Sequence, residues 1–225
     1  MTRTTNARVA GFTYLFYIAV GVTEMVLFDG ATRVEGTAAK LMRVAQHASD
    51  VRIAIVLGLV TCFAALVLGV ALYGITRDED HDLAVLALAC RAGEGVLNAI
   101  GPLATLGLLW VGTAATGGNA PDAAAAALGA FLLKIRGWSP TISAIFFAVG
   151  STLFSFLLLR GRMVPVPLAW LGVVASVLLL AGLPVQLVGF FGGPTGWLMW
   201  LPMLMFEVVL GLWLLIKGVA APARG

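Results

Sequence analysis

The stretch VRIAIVLGLVTCFAALVLGVALYGIT, residues 51–76, decides the fold class, and Arg52 is its only charge. Wound as an α-helix at about 1.5 Å per residue it is about 39 Å long, more than the roughly 30 Å hydrocarbon core of a bilayer. Its apolar residues run on without alternating, which argues against the strands of a transmembrane β-barrel. A continuous helix satisfies every backbone N–H and C=O internally, as lipid requires.

Five further apolar segments flank it, over Arg8–Phe28, Leu83–Thr113, Ser139–Leu159, Pro167–Gly189 and Thr195–Ile216. Of the 225 residues 60% are hydrophobic and only 11% charged, with a mean hydropathy of +1.01. A soluble domain is roughly half apolar and a quarter charged, so a soluble fold is excluded, as are disordered and disulfide-stapled classes. The sequence predicts an all-α polytopic membrane protein, one domain over 1–225. It would be a bundle of six transmembrane helices with one or two interfacial amphipathic helices. Gly101-Pro102 predicts a kink in the third span, and Pro184 and Pro202 predict the same in the fifth and sixth.

Two connections are too long for turns. Thr37–Ser49 gathers Leu41, Val44, Ala45 and Ala48 on one helical face, and Pro121–Arg136 opens on a proline suited to a first turn, after Asn119 or Ala120. Both read either as lids over an outward cavity or as plain surface helices. Arg77–Asp82 reads as a short solvated loop without function. Arg3 and Arg8 precede a first span that lacks a small-residue cleavage site, so it is expected to be retained. Positive-inside reasoning then places both termini in the cytoplasm of a cell whose inner (plasma) membrane holds the chain. Arg77, Arg160, Arg162, Lys217 and Arg224 fall on that side, while Arg33, Lys40, Arg43, Arg52, Lys134 and Arg136 fall outside and thin the bias.

The net charge of +3 arises from 14 Lys and Arg against 11 Asp and Glu, without a basic run, so the partner expected is the lipid bilayer and not nucleic acid. Cys62 and Cys90 read as small buried thiols. His47 and His81 lie outside the spans, which leaves no intramembrane histidine for haem. No Gly-x-Ser-x-Gly, His-Glu-x-x-His, Cys-x-x-Cys or phosphate-binding glycine loop occurs, and no cofactor or metal is expected. Trp110, Trp138, Trp170, Trp197 and Trp200, near span ends, fit interfacial anchoring.

The informative residues are those that lipid should reject. Glu24, Arg91, Glu94 and Glu207 lie inside spans, and left unpaired they would together cost about 10 kcal/mol on the gentlest insertion scale. At helical rise, Arg91 and Glu94 lie about 12 and 18 Å in from the cytoplasmic side, Glu207 about 15 Å from Lys217, and Tyr17 about 14 Å from Arg8. Arg91 and Glu94, three apart, share a helix face that Asn98 extends; Tyr14, Tyr17, Gly21 and Glu24 form a stripe on the first span. Ser151 and Thr152 fall near the same depth. The candidate ligand-binding set is therefore Arg91, Glu94, Glu207, Asn98, Tyr17 and Glu24. Two carboxylates cannot both be neutralised by one arginine. The competing reading is an interhelical clamp that binds nothing.

Ala7-Arg8-Val9-Ala10-Gly11 with Tyr14-Leu15, the Arg91-x-x-Glu94 pair, and Glu207-x-x-x-Gly211 running on through Leu212-Trp213-Leu214-Leu215-Ile216-Lys217-Gly218 resemble the DUF4386 family of bacterial and archaeal membrane proteins. The resemblance covers essentially the whole chain. It implies a multi-pass helical membrane protein and, the family being one of unknown function, carries over no catalytic role. The function expected is binding or transport of a small lipophilic or weakly polar molecule at the Arg/Glu cluster. The alternatives are an intramembrane enzyme acting on a lipid or isoprenoid, with a glutamate as general acid/base, and a structural or assembly protein without a ligand.

Overall fold

The computed structural model describes residues 2–115, 121–190, 196 and 198–220. Its helices are α1 (Arg3–Thr32), α2 (Thr37–Gln46), α3 (Ala48–Thr76), α4 (His81–Asn98), α5 (Ile100–Ala115), α6 (Ala123–Arg160), α7 (Val166–Leu187) and α8 (Leu201–Ile216). No strand occurs among the described residues. Long enough and apolar enough to cross a membrane are α1, α3, the α4–α5 stretch His81–Ala114, α6 and α7, while α8 is a shorter apolar helix of 16 residues. Large apolar side chains such as Phe12, Phe63, Val70 and Leu106 face outward. Lipid, unlike water, tolerates that surface. The chain is a polytopic all-helical membrane protein.

The third span is interrupted where Gly101-Pro102 leads one to expect, at Ala99, three residues before Pro102; three other expectations are corrected. Pro102 has no N–H to return to Asn98, so the chain tightens just before it: Ala99 N donates to Val96 O at 3.2 Å, and Leu103 N resumes the ladder on Ala99 O at 3.2 Å. Pro121–Arg136 is not a separate surface helix: Pro121 and Asp122 precede α6, and residues 123–136 are the first third of that helix, which runs unbroken through Pro140. The Asp122 carboxylate caps it by accepting from Ala125 N at 2.7 Å, while Asn119 and Ala120 lie outside the described residues. Pro202 sits in the first turn of α8, where its missing N–H costs nothing, instead of kinking the helix. Trp200 is half-buried and stacks on Phe147 (centroids 6.2 Å apart), whereas Trp110, Trp138 and Trp170 are exposed as anchors would be. Trp197, Arg224 and the start of the sixth predicted span at Thr195 lie outside the described residues.

The chain divides into two compact units, residues 1–17, 64–95 and 141–225 in one and residues 18–63 and 96–140 in the other. The first has a large apolar core that includes Tyr14, Leu68, Leu72, Phe147, Phe154, Leu179, Phe206 and Leu210. Here α1 and α8 meet backbone to backbone: a Cβ on Gly11 would stand 2.5 Å from Leu215 N and 2.6 Å from Gly211 O. Only glycine permits that approach. The two ends of the sequence that carry the family resemblance are thus the two sides of one helix crossing. In the second unit α2 buries Leu41 and Val44, the face its sequence predicts, and packs on α5, where a Cβ on Gly112 would stand 2.7 Å from Leu41 O. In the first unit Asp80 accepts from Leu83 N at 3.2 Å to cap α4 and pairs with Arg160 at 3.2 Å, which ties down the solvated Arg77–Asp82 loop.

Candidate functional site

The polar centre of the first unit is built on α4. One helical turn separates Arg91 from Glu94, and Arg91 Nη1 lies 2.8 Å from Glu94 Oε2, with the two side chains only 1% and 2% exposed. From α1, the Tyr17 hydroxyl donates to Glu94 Oε1 at 3.2 Å. The Arg91 stem is gripped by glycines of two other helices. A Cβ on Gly69 of α3 would stand 2.9 Å from Arg91 Cβ, and one on Gly150 of α6 would stand 3.3 Å from its Cδ. Its guanidinium carbon lies 5.0 Å from the centre of the Phe147 ring, a cation–π contact at the desolvated end of the range. Glu207 of α8 is buried within electrostatic reach of both Arg91 and Glu94, and Tyr14 is buried within reach of all three.

This centre is tightly packed yet incompletely bonded. Among the described residues, Arg91 Nε, Nη1 and Nη2, Glu94 Oε2 and Glu207 Oε1 are buried without a hydrogen-bond partner. The 2.8 Å contact between Arg91 and Glu94 is thus an attraction of opposite charges, not an aligned N–H···O bond. A buried donor left unmade costs about 1–3 kcal/mol, and more when charged.

Of the sequence-predicted residues, Arg91, Glu94, Tyr17 and Glu207 come together in this unit. Thr152 turns its hydroxyl back to Ala148 O and Ser151 is buried. Glu24 and Asn98 belong to the second unit. There Glu24 Oε1 pairs with Arg136 Nη2 at 2.7 Å, with side chains 21% and 14% exposed, and the Arg136 guanidinium carbon lies 3.5 Å from the centre of the Phe28 ring. Asn98 is half-buried. Sequence reasoning missed Arg136, which it placed in an outer connection. The signal was a charge count: three intramembrane glutamates and one arginine leave two carboxylates without a cation.

Surface grooves lined by Trp110 and Leu128, by Arg8 and Phe12, and by Trp213 and Lys217 include none of the cluster residues. Among the described residues no group of three or more His, Cys, Asp or Glu side chains could hold a metal ion. Cys62 is buried and Cys90 half-buried.

A family model described as a domain of unknown function, DUF4386, matches residues 9–218. The chain belongs to the DUF4386 family. No curated protein and no solved structure matches it. The DUF4386 match takes in Arg91, Glu94, Glu207 and both glycines of the α1–α8 crossing, and it establishes the family without naming an activity.

Proposed function

We propose that this DUF4386 protein binds, and in doing so can carry, a small lipophilic or weakly polar molecule at the Arg91–Glu94–Glu207 centre. It would do so in a bacterial inner membrane, with both termini in the cytoplasm. One observation carries the reading: an arginine head 1% exposed whose Nε and Nη2 have no partner among the described residues, while Nη1 meets Glu94 only as an ion pair. A clamp that only tied helices together would gain most by bonding those donors within the protein, since an unmade buried donor costs more than a made one returns. Tyr17 and Glu94 orient the head from one side, and Phe147 offers apolar surface beside it.

Native mass spectrometry in mild detergent, with wild type beside Glu207→Gln and Arg91→Ala, tests the reading. A small molecule retained by wild type and absent from both folded variants is the expected result. Identical spectra with no bound species, together with weaker folding in the variants, would establish the clamp instead.

A further inference from the structure

The donor and acceptor inventory of the centre narrows the ligand, on the assumption that the binding reading above is right. Arg91 contributes N–H groups only, because a guanidinium has no acceptor. Nη1 faces Glu94, and Nε and Nη2, without a partner among the described residues, therefore need an oxygen that accepts. Glu207 Oε1 is the other unpartnered atom facing this problem; as a carboxylate oxygen it needs a donor. Glu94 is already engaged by Tyr17 on one oxygen and by the arginine charge on the other.

Charge decides between the groups that could answer. The cluster holds one arginine and two carboxyl groups, so an anionic ligand would add a third acid to one base in a medium where charges are poorly screened. An ammonium would meet Glu207 but would repel Arg91 and leave its N–H groups unmet, since it accepts nothing. An ether or ketone accepts from Arg91 but gives Glu207 no proton to hold. A hydroxyl does both with one oxygen: it accepts from the guanidinium and donates to the carboxylate. The remainder of such a molecule would lie against apolar neighbours, of which Phe147 is the one in contact with the arginine head.

We infer that the centre selects a neutral hydroxyl-bearing amphiphile, an alcohol or phenol with an apolar body, held between Arg91 and Glu207. Four probes with the same ten-carbon chain isolate the headgroup: 1-decanol, decyl methyl ether, decanoate and decylamine. Each is added at equal mole fraction to full-length protein in dodecyl maltoside micelles, and apparent affinity is read from the rise in thermal unfolding temperature and from adducts in native mass spectra. Decanol should bind about tenfold tighter than the ether, as expected for one buried hydrogen bond and the acceptor it satisfies. In Glu207→Leu that ratio should fall to about one. The wild-type comparison of probes needs no variant to fold.

Preference for decanoate or decylamine, saturable and lost in Glu207→Leu, would overturn the hydroxyl assignment while leaving the binding reading intact. Equal weak effects from all four probes would show partition into the micelle only and would overturn the assignment. No effect from any probe, with only solvent-exchangeable waters found at Arg91 and Glu207, would overturn both.

Discussion

Each unit of this protein contains an arginine paired to a glutamate over the ring of a phenylalanine, and the two are built in opposite ways. In the first unit the pair is local, Arg91 and Glu94 one turn apart on α4, almost wholly buried and accompanied by a second acidic residue, Glu207. In the second the partners are 112 residues apart, Glu24 from α1 and Arg136 from α6; the contact is tighter to its ring, and both side chains keep some exposure. The second pair is close to complete: Glu24 Oε1 accepts a 2.7 Å charge-assisted hydrogen bond, and of the Arg136 nitrogens only Nε is buried without a partner. In the first, Arg91 Nη1 meets Glu94 as an ion pair, but Nε and Nη2 have no partner among the described residues. A finished pair fastens helices. An unfinished one, more deeply buried, has binding capacity to spare.

Removing one partner at a time gives the largest test of this contrast. Arg91→Ala should lower stability by about 3–5 kcal/mol, because it strands Glu94 and Glu207 in the core. The paired change Arg91→Met with Glu94→Leu should recover most of that loss. Thermal and denaturant unfolding in one detergent would read both, and a single variant no less stable than the double would break the account. Glu24→Gln should cost less, about 1–2 kcal/mol, since its pair is partly exposed and the ring of Phe28 still covers Arg136. A larger loss there than at Arg91 would invert the comparison.

Two smaller changes sharpen it. Gly69→Ala pushes a methyl group to within 2.9 Å of Arg91 Cβ and should cost about 1–3 kcal/mol by overpacking, whereas Gly137→Ala on α6, with nothing within 4 Å, should be neutral or slightly stabilising. Hydrogen exchange at α3 and α4 would locate the damage. Tyr17→Phe removes one 3.2 Å hydrogen bond to Glu94 and should cost about 1 kcal/mol while leaving the Glu24–Arg136 pair undisturbed. Loss of stability confined to unit-one helices is the expected pattern, and an equal effect on Glu24 variants and wild type would support the independence of the two pairs.

The sequence by itself determined the membrane class, the apolar helices and the Arg91–Glu94 pair, because hydropathy and one-turn spacing are properties of a single segment. It also foresaw the buried face of α2, which a local amphipathic pattern carries. It could not place the boundary of α6, since an apolar helix can absorb Pro140 when neighbours serve the freed carbonyl, and that depends on packing. Nor could it assign Arg136 to Glu24 or bring Gly11 against Gly211. Those contacts join residues more than a hundred positions apart, and their partners are chosen by which helices cross and how closely. The unpartnered nitrogens of Arg91 belong to the tertiary structure for the same reason. Residue types say how many hydrogen bonds a group can make, and only the surrounding helices decide how many it has made.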